Sequence, residues 1–297
     1  MLSFRARVAK GILRFSVHFT GSSKDLATRR RRFEQGFRIL FPPDTTAVTG
    51  TLTIAGIKLL RVAATKETER TVVYLHGGGF ALGSTTSYQP HMARLARLCN
   101  AEVFGIEYGL SPEHPYPIAL NQVKEVWREL IRQGLNPEHT AIMGDSAGAN
   151  LALAATLLFR QTKLAQPGCI VLISPSLDAT FSGISYVANR KKDILISGRD
   201  LHYFLDAYAR GHDRHDPLLS PVFADLRQLP PTLVHAGDDE ILLSDSETLV
   251  KHATDAGTYA ELYEGKGMWH IWHLFAGWVP EAKSAMQAIA TFVTAHT

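Results

Sequence analysis

Apolar residues along this chain follow two periods. Thr71–Leu75 and Thr140–Met143 are short runs that read as buried strands, whereas Asn150–Phe159 has the length and spacing of an apolar helix. Extended along the chain, the same reading predicts strands near 51–55, 58–63, 71–75, 102–107, 140–143, 169–173, 232–236 and 259–263. Helical patterns are interleaved from about residue 88 onward. Strands alternating with helices predict an α/β fold with a mostly parallel eight-stranded sheet, and an early hairpin turning at Ala55-Gly56 adds antiparallel strands at one edge. Residues 1–47 and roughly 178–215 stand outside the alternation, although 200–209 has an amphipathic helix pattern. No repeat, low-complexity tract or flexible linker interrupts the chain, and its 297 residues, 45% hydrophobic, predict one domain.

Two motifs carry chemistry. The run His76-Gly77-Gly78-Gly79 follows the strand at 71–75, and three glycines there let peptide N–H groups converge on one point. Gly144-Asp145-Ser146-Ala147-Gly148 lies between the strand ending at Met143 and the helix of 150–159, so Ser146 sits on a strand-to-helix turn. Such a turn lifts the hydroxyl out of the core and leaves the N–H of Ala147 free at a helix start. Gly78, Gly79 and Ala147 are the expected donors to a developing oxyanion, with Gly77 as the fallback. Acyl transfer by a serine nucleophile follows from the two motifs in this order.

A serine hydroxyl is a weak nucleophile and needs a base, held in turn by an acid. The chain order serine, acid, histidine leaves His270, His273 and His296 of the thirteen histidines. His270 follows the strand-like 260–263 and a Gly265-Lys266-Gly267 turn, which puts it in a loop at a strand's carboxyl end; His273 would point along the next helix. Asp238, Asp239 and Glu240 follow the strand at 232–236, and any of them could reach an imidazole. Phe80, Asp145 and Trp269 adjoin these positions in sequence and are the candidate pocket residues.

His76–Phe80, Glu107–Pro117 and Gly144–Asn150 resemble the hormone-sensitive-lipase group of α/β-hydrolases, the bacterial carboxylesterases in particular, and the likeness extends from about residue 48 through 229–237 to the C-terminal helix. Glu107 departs from the group's usual Asp in a segment that braces the loop around the site. The resemblance implies an α/β-hydrolase fold with a helical cap from about 1–47 and 178–215 over a catalytic core from about 48–177 and 216–297. It matches His270 as base and puts Glu240 at the acid position, with Asp239 as the alternative. Phe33, Phe37, Tyr203, Phe204 and Tyr208 of the cap then line a pocket or are ordinary helix packing. It also implies small-molecule ester substrates with short to medium acyl chains. The same machinery serves an amidase or deacetylase, and a non-catalytic receptor on this fold is the reading from another class. A homodimer through the last strand, Ala260–Tyr263, or its following helix comes from the resemblance and from edge-strand logic.

Charge and cysteines narrow the setting. The first 24 residues lack acids and Arg29–Arg32 follows, a weak likeness to a mitochondrial presequence that is better read as the basic outer face of a cap helix. A formal net charge of +3 is too small for a nucleic-acid partner, and no apolar run reaches a membrane span or a signal-peptide core. Cys99 and Cys169 lie far apart in apolar segments, as reduced thiols of a cytoplasmic protein do. No metal-ligand spacing and no dinucleotide or P-loop fingerprint occurs, so no metal or cofactor is implied.

Overall fold

The computed structural model describes residues 2–20, 25–65 and 67–297, with the side chains of 15–20 left aside. The N-terminal segment 1–47 is therefore described in part, since Met1 and residues 21–24 lie outside the described residues. Eight strands form one sheet: β1 (Val48–Ile54), β2 (Ile57–Ala63), β3 (Arg70–Leu75), β4 (Ala101–Ile106), β5 (Thr140–Asp145), β6 (Cys169–Ile173), β7 (Thr232–Gly237) and β8 (Ala260–Gly265). Their order is β1-β2-β4-β3-β5-β6-β7-β8. β2 pairs antiparallel with both β1 and β4, and every later pairing is parallel. The hairpin turns at Ala55 and Gly56, both at positive φ (50° and 77°), as a two-residue turn matching strand twist requires.

The strands run past their apolar stretches. β5, β7 and β8 end on Asp145, Gly237 and Gly265, residues that an apolar pattern does not flag but that still pair with their neighbours. Side chains alternate between two cores, as a pleated strand demands. Val73, Leu75, Ile142, Ile170, Leu172 and Val234 face one side with α4 (Ile118–Arg132), α5 (Ala147–Gln161) and α8 (Leu243–Asp255). Val72, Tyr74, Ala141, Met143, Val171 and Leu233 face the other with α3 (Gln89–Cys99) and α9 (Pro280–His296). On α4 the apolar positions Leu120, Val123, Trp127 and Leu130 make one stripe, and Trp127 stacks on Phe159 of α5 at 5.1 Å.

Four helices lie outside this alternation: α1 (Phe4–Thr20), α2 (Leu26–Leu40), α6 (Ser185–Ala188) and α7 (Gly198–Ala209). α1 buries Ala6, Ala9 and Leu13 in the second core, and Ser3 bonds Glu281 at the start of α9 through its N–H (2.6 Å) and hydroxyl (2.8 Å). α2 has no fully buried residue; Phe37 and Leu40 pack against the edge of the second core, and polar side chains hold the rest. No helix among the described residues is long and apolar enough to cross a membrane.

Candidate active site

At the corner between β5 and α5, Ser146 adopts φ 53° and ψ −119°, a strained conformation for a residue with a Cβ. Its N–H donates to Ile173 O at 2.9 Å. The turn is tight because a Cβ on Gly144 would strike the Gly148 backbone and one on Gly148 would strike the carbonyl of Leu75 at the end of β3. Ala147 opens α5, so its N–H has no partner within the helix, and the helix's positive end faces the serine.

After β3 the chain turns through Gly78 (φ 118°) and Gly79 (φ 62°). Gly77 N–H donates to Asp145 Oδ1 at 2.9 Å, which removes the fallback donor. Among the described residues no acceptor takes the N–H of Gly78, Gly79 or Ala147. The loop is pinned from behind: Tyr108 donates to His76 O at 2.6 Å and stacks on the His76 ring at 4.5 Å. Glu107 accepts from the N–H (2.9 Å) and hydroxyl (2.5 Å) of Thr85, so the longer side chain at this position does brace the loop.

His270 lies in the loop after β8 and Glu240 in the loop after β7. His270 Nδ1–H donates to Glu240 Oε2 at 2.8 Å, with the acid fully buried and the imidazole 4% exposed. The other carboxylate oxygen accepts from Ser174 Oγ (2.8 Å) and Gly237 N–H (2.5 Å). Ser174 Oγ in turn accepts from Ile271 N–H at 3.0 Å, tying the end of β6 to the histidine loop. Burial lowers the His270 pKa, but the Glu240 hydrogen bond and charge outweigh it, and the net shift is upward. The neighbouring acids are engaged elsewhere. Asp238 accepts from Gly267 N–H at 2.5 Å, and Asp239 forms an ion pair with Lys10 of α1. His273 meets His235 Nδ1 at 3.0 Å and is held neutral by burial, and His296 lies in the last turn of α9 against Phe292. Among the described residues no hydrogen bond joins Ser146 Oγ to His270, whose ring bonds only Glu240.

Two pocket expectations need correction. Trp269 is fully buried in the second core, edge-on to Phe275 at 5.5 Å, while the next residue, His270, bonds Glu240. Asp145 is buried behind the glycine loop and accepts from Tyr74 (2.7 Å), Tyr88 (2.8 Å) and Gly77, so its carboxylate is taken up in bracing that loop. Burial raises the Asp145 pKa against those hydrogen bonds. Phe80 gives one ring face to Tyr208 of α7 at 3.8 Å.

The basic run also reads differently in three dimensions. Arg29 pairs with Asp200 of α7 at 2.8 Å and lies 5.0 Å over the Tyr203 ring. Arg30 donates to Ala81 O (2.8 Å), Ser111 O (2.9 Å) and both oxygens of Glu113 (2.7 and 2.8 Å). One turn on, Glu34 accepts from Ser87 Oγ at 2.5 Å. Of the four consecutive arginines, Arg31 and Arg32 remain exposed. The missed signal is the four-residue spacing of Arg30 and Glu34, which puts both on one helix face. Phe204 of α7 fills the space where a Gly79 side chain would go, with ring carbons 2.9 Å from that point.

A serine on the corner after the fifth strand, glycine N–H groups beside it and an acid-bound imidazole beyond it define the class: an α/β hydrolase in build. Comparison with known proteins agrees, since residues 72–274 match the family model described as alpha/beta hydrolase fold. The chain belongs to that family, within its hormone-sensitive-lipase group. It is 38% identical over 260 residues to an esterase of Acinetobacter venetianus, covering 86% of this chain and 84% of that one. It is 35% identical over 236 residues to an acetyl-hydrolase of Streptomyces hygroscopicus, covering 80% and 79%. The crystal structure of an esterase from the bacterial hormone-sensitive lipase family superimposes with a TM-score of 0.93 at 30% identity, covering 97% of each chain.

Proposed function

We propose that this chain is a serine carboxylesterase that hydrolyses short- to medium-chain carboxylic esters through an acyl-enzyme on Ser146. Membership of a family whose relatives carry the names esterase and acetyl-hydrolase supports the reaction class. The observation that carries the assignment of roles is the buried 2.8 Å bond between His270 Nδ1 and Glu240, which fixes the tautomer with a basic Nε2. In this reading His270 takes the Ser146 proton as the hydroxyl attacks the ester carbonyl, across a contact that tightens in the substrate complex. Gly78, Gly79 and Ala147 N–H groups hold the oxyanion, the imidazolium protonates the departing alcohol, and water repeats the sequence on the acyl-enzyme. Glu240 stabilises the imidazolium without taking its proton.

α1, α2, α6 and α7 act as a cap, supported by the Arg29–Asp200 pair between α2 and α7 and by Phe204 over Gly79. The cytoplasm suits two unbridged thiols, each pushed up to about 12 by burial. β8 lies at the sheet edge and offers a pairing surface for a second copy, a state that light scattering would read as twice the chain mass.

The test of the main reading is hydrolysis of p-nitrophenyl esters from acetate to palmitate by wild type and Ser146→Ala. Turnover peaking at short to medium chains, with kcat reduced on the order of a million-fold by Ser146→Ala, is expected. Equal rates in the two proteins would remove the serine mechanism.

A further inference from the structure

Away from the candidate site, a cavity of about 240 Å³ opens between the end of α2, the first turns of α3 and the segment that follows Phe275. Neither Ser146, Glu240, His270 nor the glycine loop lines it. Its apolar wall is Phe37, Leu40, Phe41, Leu274 and Trp278. The opposite wall carries His91 and Arg94, one turn apart on α3.

Both polar groups lack protein partners. His91 is 4% exposed, yet neither ring nitrogen has a hydrogen bond within the structure. Burial pushes its pKa down to about 3, so the ring is neutral and holds one N–H donor. Arg94 has no acceptor among the described residues, and its Nη2 lies 3.2 Å from where a Gly277 side chain would begin, at the cavity wall. Asp44 is the one carboxylate in the lining, and it is already held by Arg97 and by the Thr46 hydroxyl at 2.6 Å. The cavity therefore combines a guanidinium with no hydrogen-bond acceptor, attracted by the Asp44 charge and repelled by Arg97, and an aromatic wall, where polar groups are ordinarily matched.

We propose that this cavity binds a short monocarboxylate, its carboxylate on Arg94 and its alkyl chain against Phe37, Leu40, Phe41 and Trp278. A guanidinium with free N–H groups matches a carboxylate in shape and charge. Since a dry cavity of about 150 Å³ takes benzene, this one holds about ten non-hydrogen atoms, which fits hexanoate or octanoate. The ligand class is that of the acid an esterase releases, but binding here does not depend on the ester-hydrolase reading.

Hexanoate binding to the full chain tests this, by isothermal titration and by Trp fluorescence, after treatment with paraoxon so that Ser146 is blocked if it is the nucleophile. One saturating hexanoate per chain is expected. Affinity should fall about tenfold or more in Arg94→Gln and disappear in Leu40→Trp, which fills the cavity. Hexanol and hexylammonium should bind at least about tenfold more weakly than hexanoate. Both variants should keep the wild-type rate on p-nitrophenyl acetate, which shows that they fold. No saturable binding, equal affinity in Arg94→Gln, or hexanol binding as tightly as hexanoate would overturn the proposal. Failure of paraoxon to react counts against the serine reading alone, because dependence on Arg94 still reads this site.

Discussion

The imidazole of His270 is set by its neighbours more than by its own burial. Because the Glu240 bond and charge raise its pKa overall, the folded protein protonates this ring at a higher pH than a free histidine, about 6.5. Only the neutral ring can act as base, so kcat/KM should fall as pH drops through a midpoint above that value. Glu240→Gln removes the charge and leaves the burial, so its smaller remaining rate should carry an acid limb displaced to lower pH. Identical limbs in the two proteins would contradict the assignment, and a pH–rate series from 5 to 9 with p-nitrophenyl acetate reads the difference. Ser174 gives a second residue-scale expectation. Its hydroxyl bonds Glu240 at 2.8 Å and takes the Ile271 N–H, so Ser174→Ala leaves buried groups short of a partner at about 1–3 kcal/mol, seen as reduced kcat with little change in KM. Glu240 could be singled out from Asp238 and Asp239 only by a family pattern, since three consecutive carboxylates have no distinguishing spacing. Ser174 was not legible at all, because a serine at the end of an apolar strand has no local signature and its partner lies 66 residues away.

Elements were legible wherever one period ran without interruption. All eight strands and the nucleophile turn follow from apolar runs punctuated by glycine, with ends that differ by up to three residues, in part where a polar residue or glycine extends a strand, as at Gly237 and Gly265. The face of α2 was misread for a related reason. Four consecutive arginines look like solvated charge, yet Arg29 and Arg30 reach α7 and the loop after the glycines, partners that periodicity does not reveal. Arg30 spans the Ala81 and Ser111 carbonyls and Glu113, so Arg30→Met should loosen α2 from that loop. The expected result is faster amide exchange over residues 81–87 and a kcat/KM lower by about tenfold, because donors and nucleophile must keep their spacing. Unchanged exchange there would mean that α2 is held without this residue.

For the whole molecule, the sheet divides two cores whose side chains alternate residue by residue along each strand, whereas the α/β architecture was readable from strands alternating with helices. What sequence did not reveal is which helix face meets which neighbour, so Trp269 was expected beside a pocket and instead fills the second core. Far from the serine corner, Trp127 and Phe159 stack beneath the sheet with the Phe159 ring fully buried. Phe159→Ala should lower unfolding stability by about 3–5 kcal/mol, read as a lower urea midpoint, while kcat/KM of the folded protein stays near wild type. A parallel loss of turnover would mean that α5 transmits core packing to Ser146. The same separation of core from corner leaves room, apart from the Ser146 turn, for a second cavity between α2, α3 and the segment around Trp278.

Ser146 as the single nucleophile is tested most directly by paraoxon labelling followed by peptide mass spectrometry. One diethyl phosphate per chain, located on Ser146 and appearing in step with the loss of ester hydrolysis, is the result predicted. Phosphorylation of any other residue as activity disappears, or full activity after Ser146 is labelled, would contradict it.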